Sequence, residues 1–322
     1  MLKQIQRPIE VHLHDFEAYF RHRMSTRIGV LNAINNYVVR RKGKLLRPML
    51  VFLSAGLNGR IDEASYVAAG MIEMLHTATL IHDDVVDEAY QRRGFLSINA
   101  LWRSKAAVLV GDFMLAQGLN VAVEHSRMDM LRVINNAVQA MSEGELLQLE
   151  RARHLNLDEP TYYDIIGMKT AALFSACCQN GALAAGASPD RVALMGQVGQ
   201  QLGIAFQMRD DLFDYQPHGL LGKPTGNDIK ERKLTLPLIY ALRQAPPPER
   251  RRAMALLRRA DSPQADVAAL VHFAQQHGGL DYAEQQMRGF ARQAVELLAQ
   301  MPRSDYRQSL ELLCQFVVER KK

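Results

Sequence analysis

The sequence predicts an all-α protein, read as one large helical domain over residues 1–322. Three observations carry this reading. Apolar residues recur at helical spacing along most of the chain, Gly and Pro fall between the periodic stretches, and strand-like alternation bounded by hairpin turns is absent. A chain of 322 residues and 36.2 kDa, 48% hydrophobic and 23% charged, can bury a large core and is ordinary for a globular protein.

In chain order, Asp62 can cap a helix running to about Glu88, in which Val67, Met71, Met74, Leu75, Ala78, Ile81 and Val85 keep helical spacing and Gly94 lies beyond the end. Further helices are expected at about 105–125, 129–150, 160–186, 190–215, 233–244, 249–259, 264–276, 281–300 and 304–319. Pro189, Pro217, Gly222, Pro224 and the run Pro246 to Pro248 separate them. The motif-bearing core spans about 40–240, and about 241–322 can pack as a C-terminal helical layer.

Net charge is +5 with a pI near 9.1, and much of the excess sits in "ERRRAMALLRRA", Glu249 to Ala260. That stretch reads as a solvated helix face. No aromatic platform or nucleic-acid motif accompanies it, so nucleic acid is not expected as a partner. Cys177, Cys178 and Cys314 show neither C-x-x-C spacing nor an even framework and read as reduced, buried side chains of a cytoplasmic protein. The first twenty residues carry charges throughout and lack an apolar signal core. No uninterrupted apolar run approaches the roughly 18 residues of a membrane span, so at most peripheral membrane contact is expected.

Chemistry concentrates in two acidic motifs. "HDDVVDEAYQRRG" places Asp83, Asp84 and Asp87 within five positions, and "QMRDDLFDY" repeats the spacing with Asp210, Asp211 and Asp214. With 18 Asp in the chain, composition alone yields one D-D-x-x-D in roughly 0.06 of such chains and two in roughly 0.002. On a helix, Asp83 and Asp87 share a face, while Asp84 points about 100° away. Carboxylate clusters without His or Cys favour hard cations. Mg²⁺ takes one or two carboxylates and completes its shell with water and substrate phosphate. The acids therefore point to a phosphorylated ligand.

The cations agree: Lys44 and Arg47 in "RKGKLLRP", Arg92 and Arg93, Lys169 in "GMKTA", and Lys223 and Lys233 in "GKPTGNDIKERKLT". Arginine forks match phosphate oxygens in pairs, and lysine supplies a point charge. Any one of these cations alone reads as a solvated surface charge; their recurrence beside the acids makes them candidate ligands. With no Walker A loop and no activated nucleophile in view, a cation-held diphosphate in an apolar pocket suits ionisation to an allylic carbocation.

In this order, "GKLLRP", "HTATLIHDDVVDEAYQRRG", "GDF", "SEGELLQL", "KTAALF", "FQMRDDLFDY" and "GNDIKERKLTLPL" resemble the trans-isoprenyl diphosphate synthases, within them most the bacterial octaprenyl enzymes. The resemblance implies an all-α isoprenoid synthase fold around a central cavity, a homodimer, and condensation of isopentenyl diphosphate with an allylic diphosphate such as farnesyl diphosphate. It also implies about three Mg²⁺ per active site with substrate bound. By the same resemblance, Asp83, Asp84 and Asp87 hold Mg²⁺ on the allylic diphosphate, and Asp210, Asp211 and Asp214 supply the opposing metal site. Arg92 contacts the allylic diphosphate. Lys44, Arg47, His76 and Arg93 bind isopentenyl diphosphate, and Lys169, Thr170, Gln207, Lys223 and Lys233 line the allylic site, Lys169 and Lys233 counting among the catalytic groups. His76 alone would read as an ordinary helix histidine. Asp112 of "GDF" reads equally as a buried structural acid and is left outside the site.

Three positions depart from the family pattern: Leu45 replaces a basic residue, Asn227 an acid and Arg232 a glycine. Leu45 bears on isopentenyl diphosphate binding; the other two lie in the loop after the second acid motif. Product length is read from the helix before Asp83, where Ala78, Met74 and Met71 lie roughly 7, 13 and 18 Å back along the axis. In short-chain relatives an aromatic residue near Ala78 closes the cavity. A methyl group there favours a long product of about eight isoprene units (C40), serving as a quinone side chain. The competing readings are a shorter-chain farnesyl or geranylgeranyl synthase, a terpene cyclase and a silent subunit of a heteromeric synthase. The second complete D-D-x-x-D counts against the cyclase, and the intact acids and R-R pair count against the silent subunit.

Overall fold

The computed structural model describes residues 1–40, 45–92, 95–155, 158–216, 226–231, 233–259 and 264–320. Helices α1 (Leu2–Gln6), α2 (Glu10–Arg23), α3 (Gly29–Arg40) and α4 (Leu46–Asn58), with a short 3₁₀ turn at Arg7–Ile9, precede the long α5 (Glu63–Val86). A two-residue hairpin follows, β1 (Gln91–Arg92) antiparallel to β2 (Phe95–Leu96), with Gln91 opposite Leu96 and Arg92 opposite Phe95. Then come α6 (Ile98–Glu124), α7 (Met128–His154), α8 (Glu159–Ile166), a π turn (Gly167–Ala171), α9 (Ala172–Ala184) and α10 (Pro189–Phe213). The chain closes with α11 (Asn227–Lys230), α12 (Leu236–Gln244), α13 (Pro247–Leu257), α14 (Gln264–Gln276), α15 (Gly279–Leu298) and α16 (Asp305–Glu319).

The all-α expectation holds, with two local differences. The hairpin is too short to leave an alternating pattern in the sequence. The helix expected over 160–186 is broken by the π turn, whose extra residue per turn changes the facing of Lys169 and Thr170 without changing apolar spacing enough to be seen.

The helices group into two compact units. Unit 1 comprises Met1–Asn136, Ala176–Gly196 and Met301–Leu310; unit 2 comprises Ala137–Ser175, Gln197–Gln300 and Glu311–Lys322. In unit 1, α4 is buried nearly throughout, from Pro48 to Leu57, as its continuous apolar run requires. Phe16, Phe52 and Tyr66 stack edge to face around it, and His12 Nδ1 shares a hydrogen with the Tyr66 hydroxyl at 2.8 Å.

Helices α5 and α6 pack along their lengths through glycine notches. A Cβ at Gly118 would lie 3.0 Å from Leu75, and one at Gly111 would lie 2.2 Å from His82 Nε2. Such closeness fixes the stripe Met71, Leu75, Ala78, His82 of α5 toward α6. By length and composition α6 could cross a bilayer, and 39% of its most apolar stretch is buried, with its glycine face packed against α5. Leu109 and Val123 on its other side are each 60% exposed.

In unit 2, α12 packs on α14 and α15, where Tyr240 and Tyr282 stack at 4.0 Å. Helix α10 presses on the π turn and on α9: a Cβ at Gly203 would meet Ala171 Cα at 2.5 Å, and one at Gly199 would meet the Phe174 carbonyl oxygen at 2.5 Å. Cys177, Cys178 and Cys314 are buried thiols in no disulfide, as the sequence reading expects.

Candidate active site

Both acid motifs lie at the C-terminal ends of long helices. There the unpaired carbonyls already carry partial negative charge, so three carboxylates are on the unfavourable end of the dipole. A cation is what such an arrangement needs.

In unit 1, Asp62 starts α5 by accepting from Ala64 N and exchanging bonds with Ser65. The helix ends where Asp87 N donates to the Asp83 carbonyl at 2.8 Å and Glu88 turns to φ 48°. Asp83 and Asp87, one turn apart, are exposed, whereas Asp84 is 5% exposed. Asp84 faces a cavity of about 140 Å³ that is also lined by Arg47, Glu73, Thr77, Leu80, Ile81, Phe16, Phe20 and Leu45.

Arg47 forks onto Glu73, Nε donating to Oε2 at 3.0 Å and Nη2 to Oε1 at 3.4 Å, with both side chains less than one-fifth exposed. Glu73 was not among the sequence candidates. Its signal was available, as the only acid between Ala64 and His82 in an apolar helix. His76 is half-buried on the same helix, and Met71, Met74 and Ala78 are buried. The cavity follows the Thr77, Leu80 and Ile81 side, one step round the helix from Ala78.

Leu45, N-terminal neighbour of α4, has φ 48°, a left-handed conformation that a Leu adopts at a cost. Asp112 is not the buried structural acid that was one reading: its side chain is 59% exposed, 3.5 Å from His82 Nε2.

In unit 2 the second motif also turns its first acid outward and buries its second, but its third acid is buried as well. Asp210 is the outward member, its side chain 41% exposed, while Asp211 and Asp214 are 5% and 9% exposed. Asp211 accepts from the Tyr162 hydroxyl at 2.7 Å and from Gln207 Nε2 at 2.8 Å. Asp214 accepts from the backbone N–H groups of Gly226 at 3.0 Å and Asp228 at 2.9 Å, which anchors the start of α11.

A cavity of about 200 Å³ opens beside Asp211, lined by Lys169, Thr170, Gln207, Asp228, Lys233, Gln148 and Tyr162 among others. The π turn delivers Lys169 and Thr170 to it, and Gly144 of α7 sits so close that a Cβ would lie 3.0 Å from Lys169 N. Lys169 Nζ donates to Gln148 Oε1 at 3.2 Å and pairs with Glu145; Thr170 Oγ1 donates to Gln207 Oε1 at 2.7 Å. Glu145 and Gln148 were also missed as candidates, although "SEGELLQL" holds them.

Burial, reinforced by the charges of Asp228 and Asp210, pushes the Asp211 carboxyl up to about 7; burial and Asp214 push Asp228 up to about 6. Burial alone would lower Lys233, but its bond to Glu231 and the surrounding acids hold it above the ordinary lysine value. The pocket thus concentrates negative charge at a net cost, which a bound cation would relieve.

Lys44, Arg93 and Lys223 lie outside the described residues, as does Arg232. Arg92 is described through its β1 backbone and Asn227 as the first residue of α11. Among the described residues no three His, Cys, Asp or Glu side chains converge into a ready-made metal cage. Taken unit by unit, the outward carboxylates nevertheless fit Mg²⁺, Asp83 and Asp87 in unit 1 and Asp210 in unit 2, since the ion needs only one or two protein oxygens when a diphosphate and water supply the rest.

The polyprenyl synthetase family profile matches residues 29–274. Octaprenyl diphosphate synthase of Escherichia coli (strain K12) is 33% identical over 298 residues, 92% of each chain. The crystal structure of a decaprenyl diphosphate synthase from Rhodobacter capsulatus superposes with a TM-score of 0.92 at 36% identity over 99% of each chain. A polyprenyl synthase from Caulobacter crescentus CB15, crystallised with calcium and isoprenyl diphosphate, gives 0.90 at 33% identity, covering 100% of this chain and 98% of that one. Other relatives carry names from geranylgeranyl to nonaprenyl and decaprenyl diphosphate synthase. Profile, identity and fold together show that the chain belongs to the polyprenyl synthetase family, the prenyltransferases that act as trans-prenyl diphosphate synthases.

Proposed function

We propose that the chain is a long-chain trans-polyprenyl diphosphate synthase that adds isopentenyl diphosphate repeatedly to an allylic diphosphate, with farnesyl diphosphate as the primer. The observation that carries this reading is the shared design of the two acid motifs. Each ends a helix, and each turns its first acid outward while the second is buried. Hydrogen bonds brace the inner acids of the second motif.

Mg²⁺, when bound, supplies positive charge that neutralises the diphosphate and makes it a better leaving group. Asp83 and Asp87 in unit 1, and Asp210 in unit 2, would be the carboxylates that hold such ions. Lys169 and Lys233 add point charge as the C–O bond of the allylic diphosphate breaks, and Thr170 and Gln207 orient the diphosphate oxygens. Tyr162 fixes Asp211 so that the negative wall of the pocket does not shift during ionisation. Arg47, held by Glu73, takes the diphosphate of isopentenyl diphosphate together with Lys44, His76 and Arg93, and Arg92 takes the allylic one. Apolar side chains beside each cavity, Leu80 and Ile81 in unit 1 and Ile165 and Ile166 in unit 2, keep water from the carbocation.

The proposed product has about eight isoprene units and serves as a quinone side chain, with Ala78, Met74 and Met71 on the channel wall. The octaprenyl relative and the small side chain of Ala78 support that length. The proposed assembly is a cytoplasmic homodimer, supported by the exposed apolar side chains Val108, Leu109, Leu119 and Val123 along α6. The mechanism is tested by assaying turnover in excess chelator and in Asp83→Ala and Asp210→Ala variants. Loss of most turnover with helicity retained is expected; full turnover in any of the three would overturn the reading.

A further inference from the structure

Arg320 follows α16 and reaches back to α10 within unit 2. Its Nη2 donates to Asp210 Oδ1 at 2.6 Å and to the Phe206 carbonyl at 3.2 Å. Its own carbonyl accepts from Arg209 Nε at 3.2 Å and Nη2 at 2.9 Å, and its guanidinium lies 4.0 Å from the Phe206 ring centroid. The side chain is 14% exposed. An exposed ion pair of this kind would carry little energy. This one is seated between a ring and a helix, so its geometry is imposed.

The seat is incomplete. Arg320 Nε is buried and finds no acceptor among the described residues, a desolvated donor that the contact leaves unsatisfied. The guanidinium also occupies Oδ1 of the one outward acid of its motif, one of the two oxygens through which that carboxylate could hold a divalent cation. Two positive groups on one carboxylate repel strongly in a half-buried site.

We propose that Arg320 is the resident counter-cation of Asp210, exchanged for the metal ion when a cation–diphosphate complex binds, so that the C-terminal end of α16 loosens as the site fills. Asp210 then never stands uncompensated at a helix C-terminus. Its readiness for metal is set by a residue 110 positions away in sequence. The inference rests on the reading of Asp210 as a cation ligand.

The test uses the full chain with Mn²⁺ and inorganic pyrophosphate, reading free Mn²⁺ by electron paramagnetic resonance and the exchange of backbone amides over 311–320 by mass spectrometry. In Arg320→Gln, Mn²⁺ should bind about fivefold tighter, because the competitor is gone. In Arg320→Lys, which keeps charge but lacks the fork, affinity should fall between the two. In the unsubstituted chain, Mn²⁺ with pyrophosphate should speed exchange near Arg320; in Arg320→Gln exchange should be fast from the start. Unchanged or weaker Mn²⁺ binding in a folded Arg320→Gln, or exchange indifferent to the ligand, overturns the proposal. Asp210→Asn separates the two levels. If it binds Mn²⁺ as the unsubstituted chain does, the reading of Asp210 fails and the inference falls with it. If it loses binding while Arg320→Gln gains none, the exchange alone is wrong.

Discussion

Tyr162 and Asp211 form a buried pair in which the phenol donates to Oδ2 at 2.7 Å. Asp211 is 5% exposed, so this bond and the one from Gln207 stand in for water around its carboxylate. Removing the hydroxyl in Tyr162→Phe leaves Oδ2 desolvated and should cost about 1–3 kcal/mol of stability. Denaturant unfolding of the metal-free variant measures it, and an unchanged midpoint would show that Asp211 draws its solvation from elsewhere.

Glu73 fixes the fork of Arg47, so Glu73→Gln should leave Arg47 in place but free to rotate. On the proposed assignment of Arg47 to isopentenyl diphosphate, the apparent KM for that substrate should rise about tenfold, with that for the allylic substrate little changed. Steady-state kinetics with each substrate varied in turn decides it. Equal rises in both would place Arg47 outside a substrate-selective role.

Much of this architecture was legible in the sequence. Asp62 as the cap of α5, the long helices after it and the shared face of Asp83 and Asp87 all follow from local spacing, because helix periodicity and capping are local properties. What escaped depends on neighbours distant in the chain. Nothing local says that Asp210 turns outward while Asp211 meets Tyr162, 49 residues away, or that Arg47 meets Glu73. The helices before residue 60 also go unassigned from sequence, although α4 is among the most buried of all. The π turn under Lys169 changes which way a side chain faces by a single inserted residue, a shift that apolar periodicity does not record.

Gly226 has φ +80°, and a Cβ on it would lie 2.0 Å from Val267 Cγ1. Its N–H also braces Asp214. Gly226→Ala should therefore lose about 1–2 kcal/mol from backbone strain alone, with displacement of Val267 adding to it. Thermal unfolding and amide exchange at residues 226–230 measure the change. A variant as stable as the unsubstituted chain would mean that this turn relaxes freely.

Product length discriminates between two walls of α5. Ala78→Phe should shift products toward farnesyl or geranylgeranyl diphosphate while leaving condensation intact. The packed setting of Ala78, on the stripe that meets α6, also predicts about 1–3 kcal/mol of overpacking. Ile81→Phe fills the observed cavity instead. Chromatographic sizing of the products from both variants settles the path: shortening by Phe at 78 supports the proposed wall, and shortening only by Phe at 81 moves the channel to the Thr77 and Ile81 side.

The central claim is that this chain, unaided, elongates an allylic diphosphate. The most direct measurement incubates the purified protein with Mg²⁺, farnesyl diphosphate and labelled isopentenyl diphosphate, then extracts and sizes the labelled products. Linear prenyl diphosphates ending at about eight isoprene units are expected. A cyclised hydrocarbon, or no incorporation of label by the folded chain, would contradict it.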